Sequence, residues 1–330
     1  MTRPRRSAAP AGVVSSLSLA SLIGGILCGA LACGVAPDSE ARAGPATLDP
    51  LARLERLAFV PAAECVVLGA LPPGVDCSNP APLLVDRFEV TRGEWRAWVA
   101  ASPSEADPLL VAGMEPWAAG DLRRPATWMS LAEARAFASD QGMRLPSARE
   151  WVRLAAGTRS QPWPWGTTAA RSVSNSLELG LGRLAPVGTF ERGCTSGGIH
   201  DLIGNAAEWV EGTLGEDSRP DRTWSAGGSF LSRSRPLHAP GPAQPGGVAF
   251  CAWSVDPAHR GRDLGLRLVA DAEEFLRATA PRWEASGRTR EHLVAIGRRW
   301  GRPAAPLLER LAGEDGAPAG LAALLSGARP

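Results

Sequence analysis

Glycine and proline interrupt this chain 37 and 29 times in 330 residues, and that punctuation removes most architectures from consideration. An interior proline deletes a helical hydrogen bond, and glycine weakens helix and strand interiors alike. A bundle of long helices is therefore excluded, and a loop-rich domain of short elements is expected. Apolar residues make up 45% of the chain, enough for a sizeable core. Of the 12 tryptophans, ten fall between Trp95 and Trp253, where core filling is their expected role and a sugar-binding surface the alternative. The formal net charge is +1, so no basic face invites a nucleic acid.

The N-terminus reads as an export signal. Arg3, Arg5 and Arg6 precede the apolar stretch VVSSLSLASLIGGILCGALA, the order of a charged region followed by a hydrophobic one. ALAC at 30–33 has the form of a lipobox, whose Cys33 would be lipidated and hold the mature chain on the membrane. Secretory cleavage after Ala32 and a retained membrane anchor are the alternatives. Each places the remainder outside the cytoplasm, in the bacterial envelope or beyond it. In such an oxidising setting Cys65, Cys77, Cys194 and Cys251 become disulfide candidates, with three pairings open.

Four segments follow from composition and periodicity: a signal at 1–33, a small, Pro-containing and polar tether at 34–56, a main domain at 57–271 and a helical extension at 272–330. Within the main domain three helix starts carry the S/T-x-x-E capping pattern. These are Thr91 with Glu94, Ser130 with Glu133, and Ser147 with Glu150. Arg144, just ahead of the third, is expected to pair with Glu150 as a structural ion pair rather than a catalytic one. The four histidines, His200, His238, His259 and His292, show no metal-ligand spacing.

Several motifs stand in a recognisable order. They are FVPAAECVVLGA, DRFEVTRGEWRAWV, PATWMSLAEARAFASDQGMRLPSAREWVRLAAG, WPWG, HDLIGNAAEW, AGGSF and LGLRLV, spread over about residues 57–271. Together they resemble the formylglycine-generating enzyme (sulfatase-modifying factor) family. That resemblance implies an α+β, C-type-lectin-like fold with little regular secondary structure. It also implies calcium held by the side chains of Asp201 and Glu208 and the carbonyls of Gly204 and Ala206, which are hard oxygen donors around a tight turn. A second, weaker calcium set would use Asn175 and the carbonyl of Ser176.

Catalytic members of the family bind Cu(I) through two cysteines spaced C-x-x-x-x-C, an oxidase site that converts a sulfatase cysteine to formylglycine. Here Cys251 stands at the second position and Gly246 at the first. One thiolate cannot make a two-coordinate copper site, so copper is not expected. Cys251 is expected in a disulfide or buried. The sequence thus points to an exported binding or structural module with an envelope protein or glycan as partner. The alternative is a formylglycine-generating oxidase with a divergent site.

Overall fold

The computed structural model describes residues 49–63, 81–101, 121–157, 161–212, 222–237, 247–248, 252–285 and 289–329. Cys33, Cys65, Cys77, Gly246 and Cys251 lie outside the described residues. The expected tether ends earlier than residue 56. Pro50–Glu55 forms a first helix, α1, capped by Asp49 with proline at its first position, an arrangement pre-set for helix initiation. Leu54 of this turn is fully buried, which draws the segment onto the core.

Two sheets follow. One is three-stranded in the order β1 (Leu57–Val60), β2 (Leu83–Asp86), β8 (Val269–Asp271), antiparallel throughout. The other has five strands in the order β5 (Gly247–Val248), β6 (Ala252–Val255), β4 (Thr223–Ala226), β3 (Ala207–Val210), β7 (Leu264–Gly265). Its β3–β7 pair is parallel and its other pairs antiparallel. The strands are all short, as the glycine and proline content requires. The segment Leu264–Asp271 belongs to both sheets in turn, so whatever fixes its middle fixes the two sheets together.

The capping patterns form as expected. α2 (Arg92–Ala101) begins where Thr91 N–H donates to Glu94 Oε2 at 2.9 Å and Glu94 N–H returns to Thr91 Oγ1 at 3.3 Å. α3 (Leu131–Asp140) and α4 (Ala148–Ala156) carry full capping boxes at Ser130–Glu133 and Ser147–Glu150. Arg144 grips Glu150 with two hydrogen bonds of 2.7 Å, and this pairing together with the cap holds the Glu150 carboxyl below its ordinary range.

The C-terminal residues form four helices, α5 (Ala272–Thr279), α6 (Thr289–Trp300), α7 (Ala305–Ala312) and α8 (Ala319–Ala328). They share one hydrophobic core with β1, β2 and α1–α3. Gly297 on α6 and Gly327 on α8 let these helices meet backbone to backbone, since a methyl at either would strike the other helix's main chain. Trp300 is buried, and its Nε1–H donates to the Leu57 carbonyl at 2.9 Å. Replacing Trp300 with Ala is expected to remove about 3–5 kcal/mol, the usual cost of emptying a large aromatic site. Urea denaturation should show a single transition shifted to lower urea; a separate early transition for the helices would mean that they fold on their own.

Candidate functional site

The stretch His200–Gly212 lies where the fold is most tightly knotted. Asp201, Gly204 and Asn205 all adopt positive φ, at 58°, 82° and 61°, a region that costs ordinary residues about 1–2 kcal/mol. At Gly204 the need is steric as well, because a Cβ there would stand 2.5 Å from the Asn175 carbonyl oxygen. The turn sets Asn205 as a buried hub. Its Nδ2 donates to Glu89 Oε2 at 2.8 Å, and its Oδ1 accepts from Asn175 Nδ2 and Ala185 N–H, both at 2.9 Å. Its backbone N–H donates to Asn175 O at 2.8 Å, and its carbonyl accepts from Phe230 N–H at 3.0 Å. One side chain and its own peptide therefore fasten four separate loops.

Three residues beyond Asn205, on β3, Glu208 meets Arg267 in the interior. Arg267 Nη2 and Nε donate to Glu208 Oε1 at 2.7 and 3.0 Å, and Trp151 Nε1 donates to Oε2 at 2.8 Å. The remaining donors of Arg267 reach the carbonyls of Asp86 at 2.9 Å and His200 at 2.7 Å. Arg267 and Glu208 side chains are 0% and 1% exposed. A buried guanidinium with all its directions satisfied fixes geometry strongly.

Two more buried carboxyls share this environment. Glu89 accepts from Ala206 N–H at 2.9 Å, and Asp201 from Gly188 N–H at 2.7 Å. Burial pushes the Asp201 carboxyl up to about 6. Burial, aided by the charges of Asp201 and Glu208, raises Glu89 well above its ordinary range. Burial thus disfavours the charged form of both groups in a place where three carboxyls face one guanidinium.

The expected calcium ligands lie along this one stretch, and among them Glu208 is already engaged while Asp201 accepts through one oxygen from Gly188 N–H. Both oxygens of Glu208 carry hydrogen bonds from Arg267 and Trp151, so a divalent cation there would have to displace a guanidinium. The set Asp201, Gly204, Ala206 and Glu208 does not fit a calcium ion as arranged. Of the second set, Asn175 offers one buried oxygen, Oδ1, that accepts no hydrogen bond. The nearby Glu178, in a short 3-10 turn at Leu177–Leu179, instead accepts from Ser234 N–H at 3.1 Å.

Little in the local sequence marks Arg267 or Glu89 for a role, and Asn205 is marked only as part of the Gly204-Asn205 turn. The one available signal was an arginine inside the apolar run LGLRLV, which must be paired if that strand is buried. Cys194 stands as a free, half-buried thiol rather than half of a disulfide, and burial raises its pKa. His200 stacks on Phe88 with centroids 4.9 Å apart, and burial lowers its pKa.

At the surface beside Cys194 a depression of about 540 Å³ is lined by Gln161, Trp165, Glu191, Arg192, Thr195 and Ser196, among others. A second, of about 640 Å³, shares Gln161, Trp165, Gly166 and Arg192 with it and adds Thr167 and Thr168.

The Gly204 contact can be separated from the cost of its backbone angle. Gly204→Ala should lower stability by about 2–4 kcal/mol, strain and overpacking together. Gly212→Ala, at a similar φ of 74° but with nothing within 4 Å of an added Cβ, should lose only about 1–2 kcal/mol. Equal losses in chemical denaturation would refute the close approach to Asn175.

Known proteins place this architecture. The sequence profile of the sulfatase-modifying factor enzyme 1-like domain matches residues 71–272, well over half of the chain. An inactive C-alpha-formylglycine-generating enzyme 2 from Mus musculus is 32% identical over 132 residues, 34% of this chain and 42% of that protein. A hercynine oxygenase from Mycobacterium tuberculosis is 33% identical over 95 residues, 27% of this chain and 22% of that protein. The chain thus spans less than half the length of either relative. Among solved structures, CarF aligns over 65% of this chain and 97% of its own, at 18% identity and a TM-score of 0.48. By the extent of the profile match, this chain belongs to the sulfatase-modifying factor enzyme 1-like domain family.

Proposed function

We propose that this protein is an exported, non-catalytic member of its family that serves as a binding or structural module of the bacterial envelope. The observation that carries the reading is Gly246, five residues before Cys251, where the resemblance calls for the first of two copper-binding thiolates. Glycine has no side chain to offer, and a lone thiolate does not make a linear Cu(I) site. A supporting observation is that Cys194, the free thiol among the described residues, is held toward its protonated form by burial, whereas the thiolate is the reactive species. One relative carries the word inactive in its name, which is said of that protein and agrees with this reading. The partner would be an envelope protein or a glycan, met at the depressions around Trp165 and Arg192.

Export rests on the N-terminal segment, with Cys33 as the lipidated residue. No helix among the described residues is long and apolar enough to cross a membrane. Mass spectrometry of the protein from bacterial membranes should find a mature N-terminus at diacylglyceryl-Cys33. An unmodified chain starting at Met1 would contradict lipidation at Cys33. For the chemistry, the full chain loaded with Cu(I) is incubated in air with a Cys-x-Pro-x-Arg peptide. The peptide's cysteine is expected to remain intact; its conversion to formylglycine would establish the oxidase instead.

A further inference from the structure

We propose that the adjoining depressions around Trp165 form a binding site for an uncharged oligosaccharide, a proposal that rests on the binding-module reading and names its ligand class. The turn Trp163–Gly166 is closed by reciprocal backbone hydrogen bonds of 3.1 and 3.0 Å. It stacks the indoles of Trp163 and Trp165 with centroids 5.0 Å apart and planes 19° apart. Trp163 is buried and backs the pair, while Trp165 is half-buried and lines both depressions. Its Nε1–H donates to Thr168 O at 3.1 Å. The half-buried ring is therefore held in place from behind and at its edge before any ligand arrives, which spares the ordering cost of binding.

The groups around the ring choose the ligand. Arg192 only donates, the Glu191 carboxylate only accepts, and Gln161 with the hydroxyls of Thr195 and Ser196 does both. A sugar ring presents that same mixture, hydroxyls that donate and accept around a flatter apolar face, and an indole offers the matching apolar surface. Glu191 and Arg192 bring opposite formal charges to one rim, so neither an anion nor a cation gains over a neutral polyol. Volumes of about 540 and 640 Å³ fall in the range of small-ligand sites. Because the two depressions share Trp165 and Arg192, they are placed for consecutive units of one chain. A short peptide would leave most of these hydroxyl and carboxylate groups without partners unless it matched them one by one.

The test is titration of the full chain with neutral gluco-, manno- and chito-oligosaccharides of two to four units, read by tryptophan fluorescence and calorimetry. An acidic galacturonate oligomer and an unstructured peptide serve as competing probes. One neutral series should bind at millimolar or lower concentration, and which one identifies the source of the glycan. Trp165→Ala should weaken binding by about tenfold or more, as for other buried aromatic anchors. Arg192→Ala should weaken it several-fold, and Trp165→Phe should retain part of it. The melting temperature of each variant reports folding independently. Three results would each overturn the proposal: no neutral oligosaccharide binding at millimolar concentration, binding unchanged in both Trp165→Phe and Arg192→Ala, or preference for the acidic oligomer or the peptide. Formylglycine formation would remove the binding-module reading while leaving a saccharide result standing, so the two ideas fail separately.

Discussion

The pairing of Arg267 with Glu208 is the constraint on which the remaining structure depends. Arg267 lies in the middle of the segment that leaves the five-stranded sheet at Leu264–Gly265 and enters the three-stranded sheet at Val269–Asp271. Its guanidinium is fully buried and reaches β3 through Glu208, the end of β2 through Asp86 O, and the motif loop through His200 O. Burying an ionised group without partners costs several kcal/mol, so both sheets and the loop must come to the positions that satisfy it. The short strands of a glycine-rich chain could not orient two sheets by length alone. A buried, fully bonded ion pair supplies that orientation.

The second constraint is charge. Asp201 and Glu89 share the interior with Glu208, and one arginine serves all three. Burial holds the Asp201 and Glu89 carboxyls above their ordinary range, and hydrogen bonds from Asn205, Ala206 and Gly188 reach them. The motif around the Gly-Asn turn then works as a knot in the scaffold, and the recognition surface we propose lies elsewhere, on the turn that presents Trp165 and the loop that presents Arg192.

What the sequence made legible was local. Ser130 with Glu133 and Ser147 with Glu150 are three residues apart, and Arg144 is six from Glu150, so helix starts and one ion pair could be read from spacing. The ordered motifs carried the family and its fold. Arg267 and Glu208 are 59 residues apart, Asn205 and Glu89 116 apart, and Trp300 and Leu57 243 apart. No periodicity encodes partners at such separations; only the folded chain chooses them. For the same reason the family resemblance could mark Asp201 and Glu208 as cation ligands, while the guanidinium that occupies Glu208 comes from a distant segment between two strands. The helical extension showed its amphipathic pattern, but its merger into the main core depends on Trp300 meeting a carbonyl at the other end of the chain.

A scaffold oriented by one internal ion pair leaves the Gly246–Cys251 segment free to vary, since Arg267 and Glu208 lie in other parts of the sequence. The most direct measurement is a double-mutant cycle in chemical denaturation with Glu208→Gln, Arg267→Met and the double variant, each in chelator-treated buffer and again with added calcium. Each single change should remove about 3–5 kcal/mol by stranding a buried polar partner, and the double variant should lose far less than their sum. Additive losses, or single variants that are destabilised only when calcium has been present, would contradict the account.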